Sequence, residues 1–139
     1  MNTKSFFLSG IVGAIVYFFL GWLFYGFLFP EIHGTNAKPC PQMILFGCLF
    51  MALLVSFIFT RWANITTFST GLKAGFVIGF LYTLSMNFFM YSTKEFDANF
   101  FALLAIETVI LAIVGGVIGY MNGFFQIKNK TKQGKIGKS

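Results

Sequence analysis

Apolar residues fall along this chain in four long blocks separated by short polar stretches, not in the alternating pattern of strands. The first block runs from about Phe6 to Phe29 and the second from about Met43 to Thr60, both without a charge. The third runs from about Ala74 to Tyr91, just after Lys73, and the fourth from about Phe100 to Met121, with one acid, Glu107. A helix needs about 20 apolar residues to cross the roughly 30 Å hydrocarbon layer. In lipid every backbone N–H and C=O must be paired within its own segment, so each block is predicted to be a helix. Period-two alternation is missing, which excludes a transmembrane β-barrel. The predicted fold is all-α, an integral membrane four-helix bundle. Residues 1–123 form its four-span domain, and residues 124–139 a basic, disordered tail.

Composition sharpens this picture. Of 139 residues, 57% are hydrophobic and 10% charged, against about 25% charged in average globular chains. With a mean hydropathy of +0.78, too little polar surface remains to wrap a water-soluble core. An ordinary soluble enzyme domain, a disordered chain and a secreted disulfide scaffold are all excluded. The 21 phenylalanines carry no function by themselves. Nucleotide bias produces such richness together with Lys, Asn and Ile.

Charge then sets orientation. Lys4, Arg61, Lys73, Lys128, Lys130, Lys132, Lys135 and Lys138 fall on the side shared by the two termini, whereas Lys38 and Lys94 fall on the other. Basic residues favour the cytoplasmic face, so both termini are expected there, in a bacterial inner membrane. Trp22, Tyr25, Trp62 and Tyr91 lie near predicted span ends, where amphipathic rings anchor. The first block is longer than a signal-peptide core, and no small-residue cleavage site follows it, so it is read as a retained span. The lysine-rich tail suits orientation control and attraction to anionic lipid. It lacks the aromatic or motif support of a nucleic-acid site, and nucleic acid is not an expected partner.

Small residues mark where helices in lipid approach closely. Gly71, Gly75 and Gly79 recur every fourth position in the third block, a line that Thr83 and Asn87 continue. Gly115, Gly119 and Gly123 do the same in the fourth, beside Gly116. A short connection makes these two blocks antiparallel neighbours, so the glycines predict close packing within one chain. Dimerisation through the same faces is the alternative. Gly10, Gly13, Gly21 and Gly26 of the first block are less regular and define no face.

The one expensive residue is Glu107. At about 1.5 Å per residue it lies roughly 12 Å in from Asn99. An ionised carboxylate costs several kcal/mol or more at such depth unless it is hydrogen-bonded. Candidate partners at similar depth are Thr83, Ser85 and Asn87 on the third block and Tyr17 on the first. Glu107, Asn87, Thr83 and Tyr17 are therefore the candidate ligand- or proton-binding residues. An intramembrane acid is a functional-site hypothesis by default. A hydrogen-bonded Glu that fixes helix register is the competing reading.

Other constellations are weaker. Glu31, His33 and Cys40 share one loop but lack the paired short spacing of a zinc site, so no metal or other cofactor is expected. Cys40 and Cys48, about 12 Å apart on a helix, exceed the roughly 7 Å limit for a disulfide. Asn64-Ile65-Thr66 matches a glycosylation triplet but falls in a loop assigned to the cytoplasm. Catalysis on lipid or a quinone-like molecule would have to use His33, Glu107, Tyr25 or Asp97, which share no recognisable spacing. No catalytic residue is assigned.

Gly21-Trp22-Leu23-Phe24-Tyr25-Gly26-Phe27-Leu28-Phe29 resembles the Gly-x-x-Trp-Tyr-Gly-x-x-Phe signature of a family of small bacterial four-helix membrane proteins. That family is catalogued as a domain of unknown function, number seventeen sixty-one. Gly71-Leu72-Lys73-Ala74-Gly75, the loop with Lys94, Glu95 and Phe96, and Gly115, Gly116 and Gly119 fit the same pattern over roughly residues 5 to 123. Phe24 stands where the family has Trp. The resemblance implies the architecture and brings no activity. The expected role is a non-enzymatic interaction or structural protein of the membrane, whose partners are lipids and a second copy or another membrane protein. A small oligomeric carrier or channel using Glu107 as a proton or cation site is the alternative.

Overall fold

A computed structural model describes residues 3–28 and 40–138. Its elements are α1 (Thr3–Gly21), which runs on as a π-helical segment at Trp22–Leu28, then α2 (Pro41–Arg61), α3 (Phe68–Tyr91) and α4 (Asn99–Ile136). No strand occurs among the described residues. All four helices are long and apolar enough to cross a membrane, taking α1 and its π segment together.

Local chemistry explains where the helices begin. Pro41 opens α2 at a position where its missing N–H costs nothing. The helix thus starts two residues before the expected Met43. α3 starts at Phe68, six residues before the expected Ala74, because Thr67 caps it: its Oγ1 accepts from the Thr70 N–H at 3.3 Å. Between α2 and α3 the chain turns tightly. Asn64 takes a left-handed φ of 46°, and the Ile65 N–H donates to the Phe59 carbonyl at 2.9 Å. Asn is one of the few residues that tolerate that backbone region. The turn sends Ile65 into the core, 8% exposed.

The C-terminal stretch departs from expectation. α4 does not end at Met121 with a disordered tail behind it, but continues as helix to Ile136. Residues 124–133 contain no Gly or Pro, and Gln, Lys and Ile continue a helix readily. Lys135 in the last turn complements the helix dipole.

α4 is the central element and packs against α1, α2 and α3. A core of Ala14, Ala52, Val55, Phe59, Ile65, Ile106, Ile110, Val114 and Ile118 fills the space between α1, α2 and α4. α3 packs chiefly on α4 and buries only Gly71, Gly75, Gly79, Thr83 and Asn87. That stripe, one residue wide and repeating every fourth position, lets backbone meet backbone. A Cβ on Gly75 would lie 2.5 Å from the Leu111 carbonyl oxygen and 3.0 Å from the Gly115 Cα. Cβ atoms on Gly71, Gly115, Gly119 and Gly123 would likewise strike backbone, at Gly115, Gly71, Thr67 and Thr66 respectively. Gly79 faces the Leu111 side chain instead, its Cβ position 2.7 Å from the Leu111 Cβ. The glycines of α1 also have neighbours: Gly10 meets Leu53 and Gly13 meets Ile118.

Candidate functional site

Toward the end of the bundle where α1 runs into its π segment, Glu107 turns to the α1 side. Tyr25 donates its phenol O–H to Oε1 at 2.6 Å, and Tyr17 donates to Oε2 at 3.2 Å. Each carboxylate oxygen therefore accepts one phenol. The shorter bond lies within the O–H···O range of about 2.5–3.0 Å. Glu107 is half-buried.

The π segment explains how two tyrosines eight residues apart reach one carboxyl group. In unbroken α-helix, residues separated by eight are turned about 80° from each other. A π turn closes i→i+5 bonds and winds more slowly, which reduces that offset. Trp22–Leu28 is π-helical, so Tyr25 comes back toward the face of Tyr17. Single π turns recur at functional sites for this reason: they re-aim a side chain without breaking the helix.

Of the four candidate residues, Glu107 and Tyr17 are brought together, and Asn87 and Thr83 are not part of the cluster. Asn87 is 3% exposed and donates from Nδ2 to the Phe100 carbonyl at 3.1 Å. It ties α3 to the first turn of α4, where carbonyl and side chain meet instead of two backbones. Thr83 is buried, and its Oγ1 has no partner among the described residues. Ser85 is exposed. Spacing alone missed Tyr25 as a partner of the acid, because the phase of the helix shifts between Gly21 and Leu28.

Outside the spans, Asp97 organises the α3–α4 turn. Its Oδ1 accepts from the Tyr91 hydroxyl at 2.6 Å and from the Asn99 N–H at 3.0 Å. The Tyr91 hydrogen bond, helped by those from Asn99, holds the Asp97 carboxyl below its ordinary pKa of 3.8. Glu31 and His33 lie outside the described residues, Cys40 is exposed and Cys48 buried, and both thiols are free. Among the described residues no three His, Cys, Asp or Glu stand close enough to hold a metal.

No family model, curated protein or solved structure matches the chain. The resemblance drawn from Gly21 to Phe29 thus rests on those residues alone.

Proposed function

We propose that this chain is a non-enzymatic, multi-pass protein of a bacterial inner membrane, with both termini in the cytoplasm, acting as an interaction or structural subunit. The observation carrying this reading is the clasp on Glu107: the acid inside the predicted spans is occupied by two hydroxyls of its own chain. Used this way, it fastens the π segment and α1 to α4 and sets their register, as buried polar contacts do in other bundles. The skewed distribution of basic residues supports the orientation. Partners would be lipid along the exposed apolar faces and a second copy or another membrane protein. Protein purified in mild detergent is expected to run as one defined assembly. A polydisperse mixture without a preferred partner or stoichiometry would contradict the reading.

One observation favours a second reading, a small carrier or channel of protons or cations. Glu107 is half-buried instead of fully enclosed, and an acid within a membrane span is a candidate proton or cation site. Four helices of one chain enclose little volume, and this reading requires an oligomer. Flux into proteoliposomes that is present in the wild type and lost in Glu107→Ala would establish it. Flux that is absent, or unchanged by the substitution, leaves the structural role standing.

A further inference from the structure

The α1 side of α3 closes on the bundle at one end only. Ala74, Ile78 and Tyr82 recur every fourth residue and so share one face of α3. Ala74 and Ile78 pack against the core between α1, α2 and α4. Tyr82, one turn on, is 41% exposed, and Met86 after it 44%. From Tyr82 outward, α3 therefore stays on α4 through its buried stripe while its α1 side is uncovered.

Glu107 lies at the level where that opening begins. A Cβ on Gly79 would stand 3.4 Å from the Thr108 carbonyl oxygen, and Asn87 bonds the Phe100 carbonyl. The antiparallel pairing thus sets the turn around Tyr82 beside Glu107. Tyr82 is also within electrostatic reach of Tyr17, which itself donates to Glu107. One half-buried acid is flanked by Tyr17 and Tyr25 from the α1 side and by Tyr82 from α3.

Chemistry selects the ligand. An ionised carboxylate only accepts, at about four positions, and the two phenols each fill one. What Glu107 still presents is anionic lone pairs beside aromatic rings. An anion is repelled there, and a neutral acceptor meets phenol protons already committed to the acid. A hard divalent ion asks for about six oxygens or more, and among the described residues no three metal-ligating side chains gather. A protonated amine fits both halves of the site. Its N–H groups donate to the remaining carboxylate positions, and its charge is attracted to ring faces within about 6 Å. Exposed Met86 on the same face of α3 suits a hydrocarbon body on that amine.

We propose that Glu107, Tyr17, Tyr25 and Tyr82 form a binding site for an amphiphilic organic ammonium ion, entered between α1 and α3. The proposal rests on the second reading above, in which Glu107 is a proton or cation site, and adds the class of cation.

Equilibrium dialysis of phenethylammonium against the full chain in lipid nanodiscs, corrected with empty nanodiscs, tests this. Saturable binding is expected for the wild type, and none for phenethyl alcohol, which has the same body without the charge. Glu107→Gln keeps the shape of the side chain and removes its charge. It is expected to weaken binding roughly tenfold or more, as loss of hydrogen bonds to a charged group does. Tyr82→Ala leaves both Glu107 hydrogen bonds in place. It is expected to weaken binding by about two- to thirtyfold, the range of one cation–π contact. Absence of saturable ammonium binding, equal binding of the alcohol, or an affinity unchanged in either variant would overturn the proposal. Should Glu107→Gln fail to fold, Tyr82→Ala and the alcohol comparison decide. If ammonium binding fails while Glu107-dependent proton or sodium flux is present in proteoliposomes, the class of cation is wrong and the second reading stands. If both fail, that reading falls with it.

Discussion

Tyr25 and Glu107 are 82 positions apart in the chain and 2.6 Å apart in space. Their hydrogen bond joins the π segment that follows α1 to the third turn of the central helix α4. Since α1 has little hydrophobic reason to stay on α4 inside lipid, such polar contacts and close packing carry the association.

The two tyrosines should differ in weight. Removing the Tyr25 hydroxyl in Tyr25→Phe breaks the 2.6 Å bond and leaves a carboxylate oxygen without that donor, at a cost of roughly 1–3 kcal/mol. Tyr17→Phe removes the longer, 3.2 Å bond and is expected to cost less. Unfolding in mixed detergent micelles, compared between the two variants, checks the order.

Glycine substitutions separate packing positions from open ones. Gly75→Ala forces a methyl onto the Leu111 carbonyl and the Gly115 backbone, neither of which is the free end of a side chain. A loss of about 1–3 kcal/mol is expected. Gly47 in α2 has nothing within 4 Å of its Cβ position, so Gly47→Ala should be neutral or stabilising by up to about 1 kcal/mol. Steric trapping or SDS titration in bicelles measures both.

Asp97 predicts an acid sensitivity confined to the α3–α4 turn. Its folded pKa lies below the ordinary 3.8, so its contribution is fully present above that value. The contribution is lost as pH falls through the depressed folded value. Amide exchange at Asn99, whose N–H donates to Asp97, should lose protection below about pH 3.8 in the wild type. In Asp97→Asn the protection should be lower at neutral pH and flat across the same window.

The spans and the glycine contacts were readable from sequence because lipid imposes helix on every apolar block and only glycine admits backbone contact at Gly71, Gly75 and Gly115. Glu107 and Tyr17 were readable by depth. Tyr25 was not, since its alignment depends on a change of helical winding that no residue between Gly21 and Leu28 announces by spacing. Asn87 and Thr83 lie at the right depth but on the face that α3 turns to α4, and depth says nothing about azimuth. Ser5, Ser9 and Asn122 sit near span ends, where polar residues ordinarily reach water. Their burial is a fact of tertiary packing that position along the span does not reveal. The helical run to Ile136 follows from residues with good helix propensity that a charge count alone reads as a solvated tail.

A double-mutant cycle on Tyr25→Phe and Glu107→Gln, measured as unfolding free energy in bilayer-like bicelles, probes the clasp most directly. A coupling of about 0.5–3 kcal/mol is predicted, the range for residues in contact. Losses that simply add, to within about 0.3–0.5 kcal/mol, would mean that the phenol and the carboxyl do not hold each other.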